Sequence, residues 1–380
     1  MNAKLINRFP TGVITAPPSK SMAHRALICA ALAGEGSVIK NIGSSDDIRA
    51  TGECLEALKK GAVCDCAESG STLRFLLPIA ALSGREVTFK GRGRLMERPQ
   101  DAYADVFAEK GVKFVQSGGE ITIQGPLPAG DYNLPGNVSS QFVSGLLMAL
   151  PLTHDDSVIT LSSQLESKAY VDMTRAAMAD FGVKTEHIGE KFIVKGYQAY
   201  KPREYTVEDD WSAAAFFLCA AALGQDVACQ GLDDNSLQGD REIVNILKKM
   251  VTPTKKLSAI TVDARNTPDL VPPLAALMCL AEGTSRIVNA ARLRYKESDR
   301  LSALATQLNA LGADIAEEPE GLTIRGKDFL QGGHADACGD HRIAMAVALA
   351  AIRCKSPVYL TGWETVAKSY PAFWQDWEGE

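Results

Sequence analysis

Polar and apolar positions fall along this chain in blocks, and the blocks repeat. The stretch Pro18 to Leu32, PSKSMAHRALICAAL, opens on a cationic, hydroxyl-bearing head and runs into a mostly apolar helical segment. A Gly turn and an alternating run at Gly34 to Ile39 follow. The same unit recurs at Ser69 to Phe89, Ser139 to Leu161, Asp209 to Cys229, Pro268 to Val288 and Gly339 to Leu360. Fixed-order self-similarity of this kind marks a repeat architecture. Six apolar helices cannot face solvent, so they predict the cores, with the polar heads at their N-termini.

Each apolar block is followed by a second, charged amphipathic segment: Asp46 to Ala62, Arg98 to Phe114, Ser167 to Glu186, Gly239 to Met250, Lys296 to Glu317 and Lys368 to Glu380. Several close on Gly-Val or Gly-Ala before alternating runs such as KFIVKG and GLTIRG, which predicts helix, Gly cap, strand. The unit is therefore a helix, a strand, a second helix and one or two further strands, and the fold class is α/β. Two groups of three units make two domains. The polar, Pro-bearing stretch Gly196 to Asp210 reads as their boundary and as a hinge. The first and fourth units are short, with thin strand material at Gly61 to Glu68 and Met250 to Ser258.

At 380 residues the chain exceeds one ordinary core, which fits two domains. A net charge of −6 gives no support to a nucleic-acid or membrane-surface role, so any cations that matter must be concentrated locally. Of the nine cysteines, Cys29, Cys219 and Cys279 sit inside apolar helical runs as small hydrophobes, and a reduced cytoplasm is the simplest setting. Cys64 and Cys66 read as structural, the histidines lack ligand spacing, and no metal is expected. The start MNAKLINRFP has no apolar leader core, and the apolar run Ala213 to Leu223 is too short to span a bilayer. Neither export nor insertion is expected.

A hydroxyl or acid at a helix start is most often an N-cap, which is the reading for Ser69, Ser139, Asp209 and Asp340 taken singly. Their company changes the picture. Lys20 with Arg25, Ser71 with Arg74, Ser139-Ser140-Gln141 and Asp340-His341-Arg342 place cations, hydroxyls and free N–H groups at several helix starts. Arg98, Ser167-Lys168, Lys296 to Arg300 and Lys368 add more. Recurrence at matching places in all six units suits multiply charged anions.

Taken together, PSKSMAHRALI, SGSTLR, MERP at Met96 to Pro99, NVSSQF at Asn137 to Phe142, SKAYVD at Ser167 to Asp172, PDL at Pro268 to Leu270, YKESDR at Tyr295 to Arg300, GDHRIAM at Gly339 to Met345 and VAKSYPAFW at Val366 to Trp374 resemble the motif series of 3-phosphoshikimate 1-carboxyvinyltransferases, or EPSP synthases. The resemblance is collinear over nearly the whole chain. It implies the inside-out α/β barrel of enolpyruvyl transferases: two domains, each of three βαβαββ units, with helix N-termini pointing into the cleft between them. The chain would cross twice, giving a first domain of residues 17–205 and a second of 1–16 plus 206–380, with hinge crossings near 15–20 and 203–210. A monomer without an organic cofactor is implied.

The implied reaction transfers the enolpyruvyl group of phosphoenolpyruvate to the 5-hydroxyl of shikimate 3-phosphate and releases phosphate. Carried over by position, Lys20, Ser21, Arg25, Ser139, Ser140, Gln141, Ser167, Tyr170, Asp269 and Lys296 would bind shikimate 3-phosphate. Lys20, Gly70, Arg98, Gln141, Arg300, His341, Arg342 and Lys368 would bind phosphoenolpyruvate, and Asp269, Glu297 and Lys20 would be catalytic. The chain departs from the family's pattern at Glu68, where Asn is usual, at Arg292 and in its two short units. The rival readings are UDP-N-acetylglucosamine enolpyruvyl transferase, whose loop Cys is missing from Gly91 to Pro99, and a catalytically silent anion-binding relative.

Overall fold

The computed structural model describes residues 2–254 and 256–379; Lys255, within the thin stretch Met250 to Ser258, lies outside them. Among the described residues twelve α-helices follow one another: α1 (Lys20–Leu32), α2 (Asp46–Lys60), α3 (Gly70–Leu82), α4 (Asp101–Glu109), α5 (Ser140–Ala149), α6 (Lys168–Asp180), α7 (Trp211–Ala222), α8 (Ile243–Met250), α9 (Val271–Met278), α10 (Arg300–Ala310), α11 (His341–Ala351) and α12 (Phe373–Glu378). The odd-numbered helices are the six apolar blocks, and each is largely buried. Five of them begin on a side-chain cap: Ser19, Ser69, Ser139, Asp210 and Asp340 each accept from a backbone N–H of the first turn. At α7 the capping residue is Asp210 rather than the expected Asp209, one residue earlier.

The chain divides into two compact units, Pro18–Glu208 and Met1–Pro17 with Asp209–Glu380. Each unit holds three sheets. One strand order recurs in all three four-stranded sheets. In the first, Cys64–Asp65 runs parallel to Glu86–Lys90, followed by the antiparallel strands Glu120–Gln124 and Lys113–Ser117. Asp131–Leu134 and Thr261–Asp263 open the other two in the same way.

The short units have a structural reason. Among the described residues their sheets contain only a parallel pair, Val38–Lys40 with Glu204–Thr206 and Val227–Gln230 with Gly12–Thr15; where the longer units have an antiparallel hairpin, the fourth has a single antiparallel bridge, Val251 with Leu257. In each pair the partner strand arrives from far along the chain. Ala3–Ile6 likewise pairs with Val358–Thr361, and Lys4 fastens this edge by lying over the Trp363 and Trp374 rings and pairing with Glu378 at 2.8 Å.

Each unit has its own core. In Pro18–Glu208 it is built from α1, α3 and α5 with the inward faces of the sheets, such as Ile121 and Ile123. In the other unit α7, α9 and α11 pack with Phe373 and Trp377 of α12. Burying the apolar helices centrally leaves their first turns as places where polar groups concentrate; Lys20, Gly70, Ser140, Gln141, His341 and Arg342 lie there, while Ser167 and Arg300 stand at the starts of α6 and α10. Among the described residues no helix is long and apolar enough to cross a membrane.

Candidate active site

In the unit Pro18–Glu208, Lys20 is the first residue of α1, and its Nζ lies 2.7 Å from Asp47 Oδ2 at the start of α2. Arg25, one turn further on, is 2% exposed. Its Nε donates to Thr174 Oγ1 at 2.8 Å, Nη2 to the Tyr170 carbonyl at 2.8 Å and Nη1 to the Ser21 carbonyl at 2.6 Å, while the guanidinium lies over Phe75. Burial pushes it down to about 10, against the opposing pull of Tyr170. Arg25 thus ties α1 to α6 and fixes the backbone of two expected binding residues, Ser21 and Tyr170.

At the start of α3, Ser69 caps the helix and Gly70 follows. Arg98 lies directly against Gly70: a Cβ there would sit 2.7 Å from Nη1 and 3.1 Å from Nη2. Arg98 is buried, and among the described residues its Nε has no hydrogen-bond partner. Gln141, in the first turn of α5, accepts from Arg74 Nη1 at 2.9 Å and donates to Ser71 Oγ at 2.9 Å. The starts of α3 and α5 are therefore joined. Ser139 caps α5 through the Gln141 N–H at 3.3 Å, with Ser140 next to it. Ser167 precedes α6 at φ 55, ψ 42, a left-handed conformation that a non-Gly residue seldom adopts, and it is buried. The Glu68 carboxylate lies against the Gly93 turn, where a Cβ would meet Oε1 at 2.9 Å.

The other unit holds a cluster of opposite character. Arg300, first residue of α10 and 2% exposed, gives each arm of its guanidinium to a different carboxylate: Nη1 to Asp269 at 2.9 Å, Nη2 to Glu297 at 2.9 Å and Nε to Asp340 at 2.7 Å. Arg342 Nη2 reaches Asp269 Oδ2 at 3.3 Å, and Lys368 Nζ stands 3.9 Å from Glu297 Oε1. Asp340 also accepts from Ser298 Oγ at 3.2 Å and caps α11 through Arg342 N at 3.0 Å. His341, beside it, is buried.

Electrostatics sort these groups. Burial would push the Asp269 carboxyl up, but Arg342, Lys296 and Arg300 together hold it well below the usual carboxylate range. Burial pushes the Lys296 ammonium down to about 8, with Asp269 opposing and Arg300 adding. Asp240, buried and touching Ser212 Oγ, is driven the other way, up to about 7, by burial and by Asp269. An ionised carboxylate and partly desolvated cations side by side can accept a proton and hold an anion.

Within its own unit, then, each group of expected residues is brought to helix starts. Asp47 was not singled out in the sequence, where it is one residue of the charged segment Asp46 to Ala62; Asp340 caps α11 as expected and is in addition a partner of Arg300. Arg292 turns inward, donating to the Ala264 and Arg265 carbonyls.

Comparison with known proteins defines first a class. The fold is similar to that of the enolpyruvyl transferase NikO from Streptomyces tendae, with a TM-score of 0.79 at 19% identity, covering 99% of this chain and 96% of that one, a likeness of fold alone. An EPSP synthase from Acinetobacter baumannii superposes with a TM-score of 0.80 at 25% identity, covering 98% of this chain and 96% of that chain. The 3-phosphoshikimate 1-carboxyvinyltransferase of Clostridium acetobutylicum is 46% identical, covering 96% of this chain and 94% of its own length. That of Clostridium kluyveri is 45% identical, with 98% and 96% covered. The sequence model of EPSP synthase (3-phosphoshikimate 1-carboxyvinyltransferase) matches residues 8–62 and 59–377, its two pieces meeting at the short first repeat. The chain belongs to the EPSP synthase family.

Proposed function

We propose that the protein transfers the enolpyruvyl group of phosphoenolpyruvate to the 5-hydroxyl of shikimate 3-phosphate and releases inorganic phosphate. The observation that carries this reading is the carboxylate pair Asp269 and Glu297 shared by Arg300, in a chain that matches the family nearly end to end. Both substrates are polyanions, which suits cations and capped helix starts.

The reaction has two halves. The 5-hydroxyl oxygen bonds to C2 of phosphoenolpyruvate, losing its proton to a base, while C3 takes a proton from an acid. In the resulting tetrahedral ketal the C2–O bond to phosphate then breaks, and C3 returns its proton as the double bond re-forms. Asp269, held ionised, suits the base. Glu297 and the Lys368 ammonium, 3.9 Å from it, together suit the proton transfers at C3, the ammonium being the proton carrier of the pair. Lys20 assists as a cation whose position Asp47 sets. Lys296 stands by the shikimate ring, and His341 and Arg342 lie on the phosphoenolpyruvate side.

On the binding side, Ser139, Ser140 and Ser167 receive the shikimate phosphate, with Gln141 and Tyr170 beside the ring. Gly70 keeps room against Arg98 for phosphoenolpyruvate. Arg25 acts through the backbone of Ser21 and Tyr170, and Arg300 acts chiefly by holding the two carboxylates.

Phosphate release decides the matter. It is expected only when phosphoenolpyruvate and shikimate 3-phosphate are supplied together. Release with UDP-N-acetylglucosamine in place of shikimate 3-phosphate, or no release with either acceptor, overturns the reading.

A further inference from the structure

Helices α1, α2 and α3 are joined by four buried polar side chains to which the reaction above gives no part. His24 Nδ1 lies 2.7 Å from Thr51 Oγ1, which lies 2.6 Å from Thr72 Oγ1, which lies 2.7 Å from Ser69 Oγ. All four residues are 0% exposed. The Asp47 carbonyl lies 3.3 Å from Thr51 Oγ1 and 3.5 Å from Thr72 Oγ1, and the Asp47 carboxylate is the partner of Lys20. Each threonine has one hydroxyl proton, and the shorter contacts, Thr51 to Thr72 and Thr72 to Ser69, take it in preference to the Asp47 carbonyl. The chain ends on the cap of α3, one residue before Gly70 and its contact with Arg98.

Burial pushes the His24 imidazole down to about 3, with Lys20 and Arg25 acting in the same sense and Asp47 opposing, so the ring is neutral near pH 7 and carries one N–H. Nε2 has no hydrogen-bond partner among the described residues, and the ring stands edge-on to Phe75. Burying an N–H without an acceptor costs more than leaving a lone pair unused. The proton therefore belongs on Nδ1, and the hydrogen bonds run one way, from His24 to Thr51 to Thr72 to Ser69. Ser69 Oγ also accepts from Thr72 N at 3.2 Å, so both its lone pairs are used and its own proton turns out of the chain. A hydroxyl chain with one direction has one low-energy geometry, which an apolar contact of the same volume would not impose.

We propose that His24, Thr51 and Thr72 are positioning residues, a one-way buried relay that holds the Ser69–Gly70 turn in place for phosphoenolpyruvate. The proposal rests on the functional reading that puts Gly70 and Arg98 at that substrate.

The test uses Thr51→Val and Thr72→Val, which keep volume and delete one hydroxyl, with Thr51→Ser and Thr72→Ser as the variants that restore it. Each Val variant is expected to raise the KM for phosphoenolpyruvate about five- to tenfold, the scale of one lost hydrogen bond, and each Ser variant to return it towards wild type. Simple loss of folded protein would lower apparent kcat and leave KM alone. Nitrogen-15 NMR of the wild-type imidazole is expected to show His24 protonated on Nδ1 alone, and Thr51→Val to show both tautomers. Val variants with wild-type KM, a fall in kcat alone, Ser variants that rescue nothing, or a wild-type ring protonated on Nε2 would each overturn the relay. A wild type that releases no phosphate would instead overturn the functional reading, and the NMR result would still judge the relay's direction.

Discussion

Asp269 and Glu297 share one guanidinium: Arg300 Nη1 is 2.9 Å from Asp269 Oδ1, and Nη2 is 2.9 Å from Glu297 Oε2. Two carboxylates so linked differ through their other neighbours. Asp269 has Arg342 and Lys296, whereas Glu297 has Lys368 at the longer distance of 3.9 Å.

Asp269→Asn removes the carboxylate proposed as the base and keeps its shape. Turnover is expected to fall about a hundredfold or more, the usual contribution of a general base, while shikimate 3-phosphate affinity by calorimetry changes little. Turnover within a few-fold of wild type would take Asp269 out of the chemistry.

Much of this was legible from the chain. The six polar heads predicted six core helices with functional starts, and α1, α3, α5, α7, α9 and α11 begin within a few residues of them. What escaped was long-range pairing. No local pattern announces that Glu204–Thr206 lies beside Val38–Lys40, or Gly12–Thr15 beside Val227–Gln230, because strand pairing depends on where distant segments return. Buried polar partners escaped for a related reason. Asp47, Thr51 and Thr72 look like ordinary helix residues until the facing helix supplies Lys20 and His24. Arg25 and Arg300 read as anion binders by residue type, yet their donors are largely given to protein groups.

Asp340 is fully buried, pairs with Arg300 and caps α11. Asp340→Ala leaves the buried Arg300 Nε without its acceptor, although Asp269 and Glu297 still pair with the guanidinium, and uncaps a core helix, so a loss of ~2–4 kcal/mol is expected from one unmade buried hydrogen bond and one lost cap. Urea or thermal melting should show a markedly lower midpoint, and Asp340→Asn, which keeps the cap, a smaller drop. Equal losses in the two variants would mean that the charge pairing is the whole effect and the cap contributes nothing.

Gly70→Ala adds one methyl 2.7 Å from Arg98 Nη1. The obstructing atoms are the far end of a flexible side chain, so the fold should tolerate the change and Arg98 should swing away. The KM for phosphoenolpyruvate is expected to rise severalfold with the melting midpoint near wild type. An unaltered KM would show that Arg98 does not serve this substrate.

Lys296 supplies a pH dependence whose sign is fixed. Burial depresses its ammonium to about 8, although Asp269 pulls the other way. Its charge is therefore present at pH 7 and is lost as the pH rises through about 8. If that charge helps to hold shikimate 3-phosphate, the KM for this substrate should climb above pH 8, approaching tenfold per pH unit where the neutral form dominates. Folding stability should respond in the opposite direction. The unfolded chain keeps the proton up to the ordinary lysine value, so this group's destabilisation is full below pH 8 and is relieved between about 8 and 10.4. Lys296→Arg keeps a cation over the whole interval, so its KM profile should be flat where the wild type rises, whatever its absolute activity. Parallel profiles for the two proteins between pH 7 and 9.5 would assign the titration to another group and remove Lys296 from the binding of shikimate 3-phosphate.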